Sequence, residues 1–196
     1  MRRVVLGVLF LLIVGSYGGS AVAQSATGRL LVAQPSLTDT NFSKTVVLVL
    51  RHDAIGAFGL IVNRFVEDVA PRDVLALFDE EVPVSDQTVA VHIGGPVQPA
   101  TTLALHSPDF QTDRTDRVGD FMAVSPTADT LIATADGTGP RTLRIFFGYA
   151  RWAPGQLDQE IESGSWALVD ATADLVFAED AAGVWAAARG RIRVEL

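Results

Sequence analysis

Hydrophobic and polar positions along this chain follow two periods, and each predicts a different kind of element. Residues 30–33 form an apolar run that Gln34 and Pro35 end, because proline has no N–H to give a ladder. Residues 45–50 are unbroken, apolar and rich in valine, as in a strand covered on both faces. A tight turn at Gly56-Ala57-Phe58-Gly59 and a partner run at Leu60-Ile61-Val62 make a hairpin with it. Further strands are predicted at 88–93, which Gly94-Gly95-Pro96 stops, and at 102–106, 121–124, 142–147 and 166–169. Helical spacing occupies 71–78, with Pro71 in the first turn, then 129–135, about 155–163 and 181–189. Residues 38–42 and 113–117 read as polar loops, and 171–177 fit neither period. No repeat or linker divides residues 24–196, so the pattern gives one compact α+β domain without a clean βαβ repeat.

Composition narrows the chemistry. With 48% hydrophobic and 19% charged residues the chain is globular. It has no cysteine, which excludes disulfides, thiolate nucleophiles and cysteine-held metals. The formal charge of -8 lacks the basic footprint that a phosphate backbone requires, so nucleic acid is not expected as a partner. Arg189, Arg191 and Arg193 cluster near the end beside Glu195 and read as a solvated tail.

The first residues have their own logic. Arg2 and Arg3 precede an 11-residue apolar run, Val4 to Val14, and Ala21-Val22-Ala23 supplies an A-x-A cleavage pattern. The run is short of the ~20 residues a spanning helix needs. Residues 1–23 therefore read as a secretory signal peptide, with cleavage before Gln24 expected over anchorage and a periplasmic or secreted product. Cleavage removes two arginines and no acid, leaving 13 basic against 23 acidic residues, a formal charge of -10. No later segment has the length and apolarity of a membrane span.

Candidate sites are few. Gly56 and Gly59 lack the spacing of a phosphate loop and lead into a strand, so the turn reading outweighs an anion cradle. Gly94-Gly95-Pro96 serves a sharp strand exit, although a ligand can approach its bare backbone. His52, His92 and His106 show no metal-ligand spacing, and G-x-S-x-G does not occur. His52-Asp53 is the best base-like pair, but adjacent strand residues face opposite sides. On the 155–163 helix, Leu157 and Ile161 form one stripe, Gln156 and Glu160 a second, Asp158 and Glu162 a third. Asp158 and Glu162 read as a solvated face, and Trp152 and Trp166 as packing on either side of the helix.

The segment from Gly148 to Trp166 joins a strand end, a Pro154 turn, a short helix, the Gly164 stop and a tryptophan-led strand. It resembles the AlgH/YqgE family of small bacterial proteins, whose biochemical role is unsettled. The order His52, Gly56-Ala57-Phe58-Gly59, Leu60-Ile61-Val62-Asn63 and Gly94-Gly95-Pro96-Val97 resembles it too, so the likeness covers about residues 28–190. Two positions depart from the pattern: Phe65 near the exit of the Asn63 strand, where proline is usual, and Arg151, where glycine is commoner. The resemblance implies a mixed, bifurcated or barrel-like β-sheet surrounded by helices.

Two functional readings follow. The first is an exported, non-catalytic binding or regulatory module with an unknown protein or small-ligand partner. Its candidate binding residues are His52, Asn63, Gly94, Gly95, Tyr149, Trp152, Gln156 and Glu160, with no catalytic residue, metal or cofactor assigned. The second is a hydrolase or ligand-processing enzyme using His52 with the acids of the 158–162 helix. Convergence of His52, Asn63, Gly94, Gly95 and Glu160 on one cavity would favour the second.

Overall fold

A computed structural model describes residues 25–78 and 85–192, so the signal-peptide reading and the fate of Arg193 lie outside the described residues. The fold is α+β: one curled sheet forming a half-barrel, with five short α-helices around it among the described residues. Strands β1 (Arg29–Ala33), β2 (Val46–Asp53) and β3 (Gly56–Ile61) form an antiparallel meander, and β10 (Trp166–Asp170) pairs outside β1. The other half holds β6 (Val97–His106), β7 (Asp116–Val118) and β8 (Met122–Ser125). Both halves meet on β9 (Leu143–Trp152).

β9 has more neighbours than a strand has edges, and the sheet forks there. Its first half carries β6 antiparallel on one edge and β5 (Val89–Ile93) parallel on the other. From Ala150 on, β3 replaces β5. At the handover Gly94 donates its N–H to Phe147 O and accepts from Ile61 N, both at 2.8 Å. A Cβ on Gly95 would lie 2.1 Å from the Tyr149 carbonyl carbon, and one on Gly148 (φ +68°) would lie 2.4 Å from Gly95 O. Only glycine lets three backbone segments approach this closely.

Three groups of buried side chains fill the fold. Leu30, Val32, Leu48 and Leu60 face α4 (Ala173–Val176) and α5 (Val184–Arg189), together with Phe146. Alternate residues Leu31, Val47, Val49 and Ile61 face the other way, towards α3 (Gln156–Glu162), with Trp152 and Trp166. This double burial explains the unbroken apolar run of β2. The third group joins α1 (Pro71–Leu75) and α2 (Thr127–Ala135) to Val89, Ala104 and Ile145.

Several local expectations change. The hairpin turn is Ala54-Ile55, where Asp53 Oδ1 accepts from Ile55 N at 2.9 Å, and Gly56 already belongs to β3. Strand β6 begins at Val97 and carries an irregularity up to Thr102 that absorbs Pro99. β4 (Phe65–Val69) and β7 lie where no strand was expected, because β4 buries neither face and β7 has one buried residue. Arg189 and Arg191 are exposed, as the tail reading expects, and each has a partner. Arg189 stacks 5.0 Å over Trp185, which itself donates to Ala33 O, and Arg191 pairs with Asp174. No helix among the described residues is long and apolar enough to cross a membrane.

One polar hub fastens α3. Glu160 Oε2 accepts from the indole N–H groups of Trp152 at 2.9 Å and Trp166 at 2.8 Å, while Oε1 accepts from Gln156 Nε2 at 2.8 Å. The ring of Phe42 stacks on the Trp152 indole at 6.1 Å and meets the Trp166 indole edge-on at 5.7 Å. Helical spacing alone sets Glu160 in a stripe with Gln156; the structure turns it inward because two buried donors need an acceptor.

Glu160→Ala is expected to destabilise the fold by about 2–5 kcal/mol, since each indole N–H left without a partner costs ~1–3 kcal/mol. Denaturant unfolding followed by tryptophan fluorescence reads this, and an unchanged midpoint would refute it. A second prediction concerns acid. His92 is buried between the rings of Phe65 and Phe146, and burial with the nearby Arg144 lowers its pKa from 6.5 to about 4. Between those values the unfolded chain takes a proton that the folded one refuses. This contribution is therefore whole above pH 6.5 and fades as pH falls towards 4. Burial lowers His106 as well, which adds the same sign. Urea midpoints measured from pH 7 to pH 4.5 should fall less steeply for His92→Leu than for the natural chain.

Candidate functional site

One irregularity in β2 decides what the hairpin presents. Val49 pairs with Gly59 and Arg51 with Phe58, which leaves Leu50 as an extra residue, a β-bulge. In a regular strand Arg51 would share a face with Val49. The bulge resets the alternation, so Arg51 turns to the α5 side of the sheet and His52 to the α3 side.

Phe58 pairs with Arg51 on β2 and with Arg151 on β9. Directly opposed residues share a face, so Arg51, Phe58 and Arg151 form one row across three strands. Tyr149, two residues before Arg151, lies on the same face, with its ring 4.8 Å from that of Phe58. Over this row opens a cavity of about 400 Å³, walled by Thr101 and Leu103 of β6. A second cavity of about 550 Å³ shares Arg51, Phe58 and Leu103 with it and runs on to Val124 and Arg117. Together they form a groove of the size small-molecule sites use. Arg51 Nε lies 3.5 Å from Asp53, whereas Arg151 enters no ion pair among the described residues.

The next row, His52, Ala57 and Trp152, faces α3 and is closed. His52 Nδ1 accepts the N–H of Ala26 at 3.2 Å, and Nε2 lies 3.4 Å from Asp158 Oδ2. Ser25 and Thr27 bond the backbone of His52, at 2.9 Å to its carbonyl and 2.8 Å from its N–H, strapping the start of the domain over the hairpin. Both ring nitrogens are thus engaged within the fold. The carboxylate facing His52 comes from α3, while Asp53 serves the turn. Among the described residues no three His, Asp or Glu side chains converge as a metal set.

The other candidates separate. Asn63 accepts from Val46 N at 2.8 Å and donates to Lys44 O at 3.0 Å, pinning the start of β2. Gly94 and Gly95 lie at the fork, and Gln156 and Glu160 belong to the indole hub, with Gln156 also accepting from Ala153 N at 3.0 Å. Tyr149 borders the groove with its ring beside Phe58, whereas Trp152 reaches the cavity wall by its place on β9 while its indole is buried in the Glu160 hub. Arg51, Phe58, Leu103 and Arg151 escaped the sequence reading. For Arg151 a signal existed, since it is charged within an otherwise apolar stretch; for Arg51 none did, because its facing depends on the bulge.

A family model described as DUF179, AlgH-like, matches residues 30–196. A UPF0301 protein of Cereibacter sphaeroides is 36% identical over 160 residues, covering 81% of this chain and 87% of its own. One of Rhodospirillum rubrum is 37% identical over 170 residues, covering 86% and 88%. The solution structure of the AlgH protein from Pseudomonas aeruginosa superposes with a TM-score of 0.73 at 32% identity, covering 88% of this chain and 92% of that one. A crystal structure of a Corynebacterium diphtheriae protein superposes with a TM-score of 0.65 at 29% identity, covering 83% and 84%. The chain belongs to the AlgH-like family.

Proposed function

We propose that this protein is an exported binding module that holds a ligand in the groove over Phe58 without transforming it. The observation that carries this reading is the Arg51–Phe58–Arg151 row, which opens beneath two joined cavities. Aromatic floor and polar rim together are what a ligand site requires. The closed geometry of His52 supports binding over hydrolysis: a general base needs a free nitrogen within reach of substrate, and here both nitrogens face the protein. Export rests on the basic, apolar and A-x-A order of residues 1–23. A periplasmic address and the acidic charge both argue for a small molecule or a protein as partner, not nucleic acid.

One experiment addresses both halves. The protein is isolated from the envelope fraction of its own cells and measured intact by native mass spectrometry. The expected species begins at Gln24 and carries a noncovalent adduct that Thr101→Trp, which narrows the groove, releases. A product beginning at Met1 in the cytosol would end the export reading. An adduct that persists in Thr101→Trp would move the binding site elsewhere.

A further inference from the structure

Resting on the reading of the groove as a binding site, we propose that its ligand is an amphipathic organic anion. An acidic head group sits at Arg51 and Arg151, and an aromatic or acyl body lies along Phe58, Tyr149 and Leu103. The charge pattern carries the assignment. The chain has a formal charge of -8, yet two of its arginines share one face of three adjacent strands, with only an aromatic ring between them. Strands lie ~4.8 Å apart, so the two Cα atoms are about 10 Å apart and both guanidinium groups reach one head group above Phe58. Their compensation within the fold is weak. Asp53 lies 3.5 Å from Arg51 in an exposed pair, and Arg151 has no ion pair among the described residues. Such a locus is poised for an outside carboxylate, sulfonate or phosphate, which arginine binds through its planar fork.

The rest of the groove sets the body of the ligand. Phe58 and Tyr149 stand 4.8 Å apart at a 52° tilt, offering an apolar surface beside the cations. From there Leu50, Leu103 and Val124 continue an aliphatic floor through the second cavity. A small inorganic anion would satisfy the arginines and leave about 550 Å³ of apolar-floored space unused. A neutral apolar molecule would fill the floor and leave the cations unpaired. An amphipathic anion satisfies both, and its charged end is fixed at the β3–β9 side of the groove. At the far end Arg117 is accompanied by Asp116, so that end carries no net positive charge.

The test uses two dyes with one skeleton: 8-anilinonaphthalene-1-sulfonate, which is anionic, and N-phenyl-1-naphthylamine, which lacks the sulfonate. Each is titrated by fluorescence into the purified natural chain, Arg51→Gln, Arg151→Gln, their double variant and Thr101→Trp. The arginines are exposed, so folding of the variants is checked by circular dichroism and is expected to be unchanged. The expected result is saturable binding of the anionic dye, weakened about tenfold by each arginine substitution, since a charge-assisted contact is worth ~1.5 kcal/mol or more. The neutral dye should be indifferent to both arginines, and Thr101→Trp should weaken both dyes. Equal binding of the anionic dye by the natural chain and the double variant would overturn the acidic head group while leaving the groove as a binding site. Failure of both dyes to bind, or their indifference to Thr101→Trp, would overturn the groove reading and the ligand class with it.

Discussion

Everything in this fold hangs on the point where two strands share one edge of β9. The handover from β5 to β3 brings the backbones of Gly94, Gly95 and Gly148 within the space one methyl group would occupy. Were any Cβ placed there, the strands would separate and the sheet would lose its fork. The fork in turn fixes which part of β9 faces β3, and so which residues can stand beside Phe58. Fold and groove are therefore consequences of the same absence of side chains.

Around that point, polar groups work mostly for the structure. The Glu160 carboxylate collects three donors from α3 and the two flanking strands, and Arg144 donates to the carbonyls of Val176 and Ala178 at the end of α4. Arg144 also helps keep the buried His92 neutral. These groups are expensive to leave unpaired, which is why their partners lie in different elements. Charged residues that the fold does not consume are consequently informative, and Arg151 is the clearest of them.

Much of the architecture could be read from the sequence. The unbroken valines of β2, Pro71 at the first turn of α1 and the glycine-bounded block around α3 each have a local cause that needs no tertiary context. Elements without a buried face escaped. β4 exposes Phe65, Val66, Glu67 and Asp68 and so shows no alternation, and β7 shows almost none. The site was less legible for a sharper reason. Strand alternation is only as good as the count of residues, and Leu50 breaks the count one position before Arg51. His52 drew notice by its chemistry, while its neighbour on the open face did not. The indole hub of Glu160 was hidden for the complementary reason, since its partners are eight and six residues away on strands whose approach no periodicity records.

The bulge at Leu50 has an evolutionary side. Gain or loss of one residue in β2 exchanges the faces of everything between it and the turn, with no change at the fork. A lineage that keeps its glycines can thus remove one of the groove's two arginines in a single indel, leaving Arg151 on β9 in place, without assembling the new surface one substitution at a time. Ligand preference in such a scaffold is free to diverge faster than its core, and overall identity between two of its descendants would be a poor guide to whether they hold the same molecule.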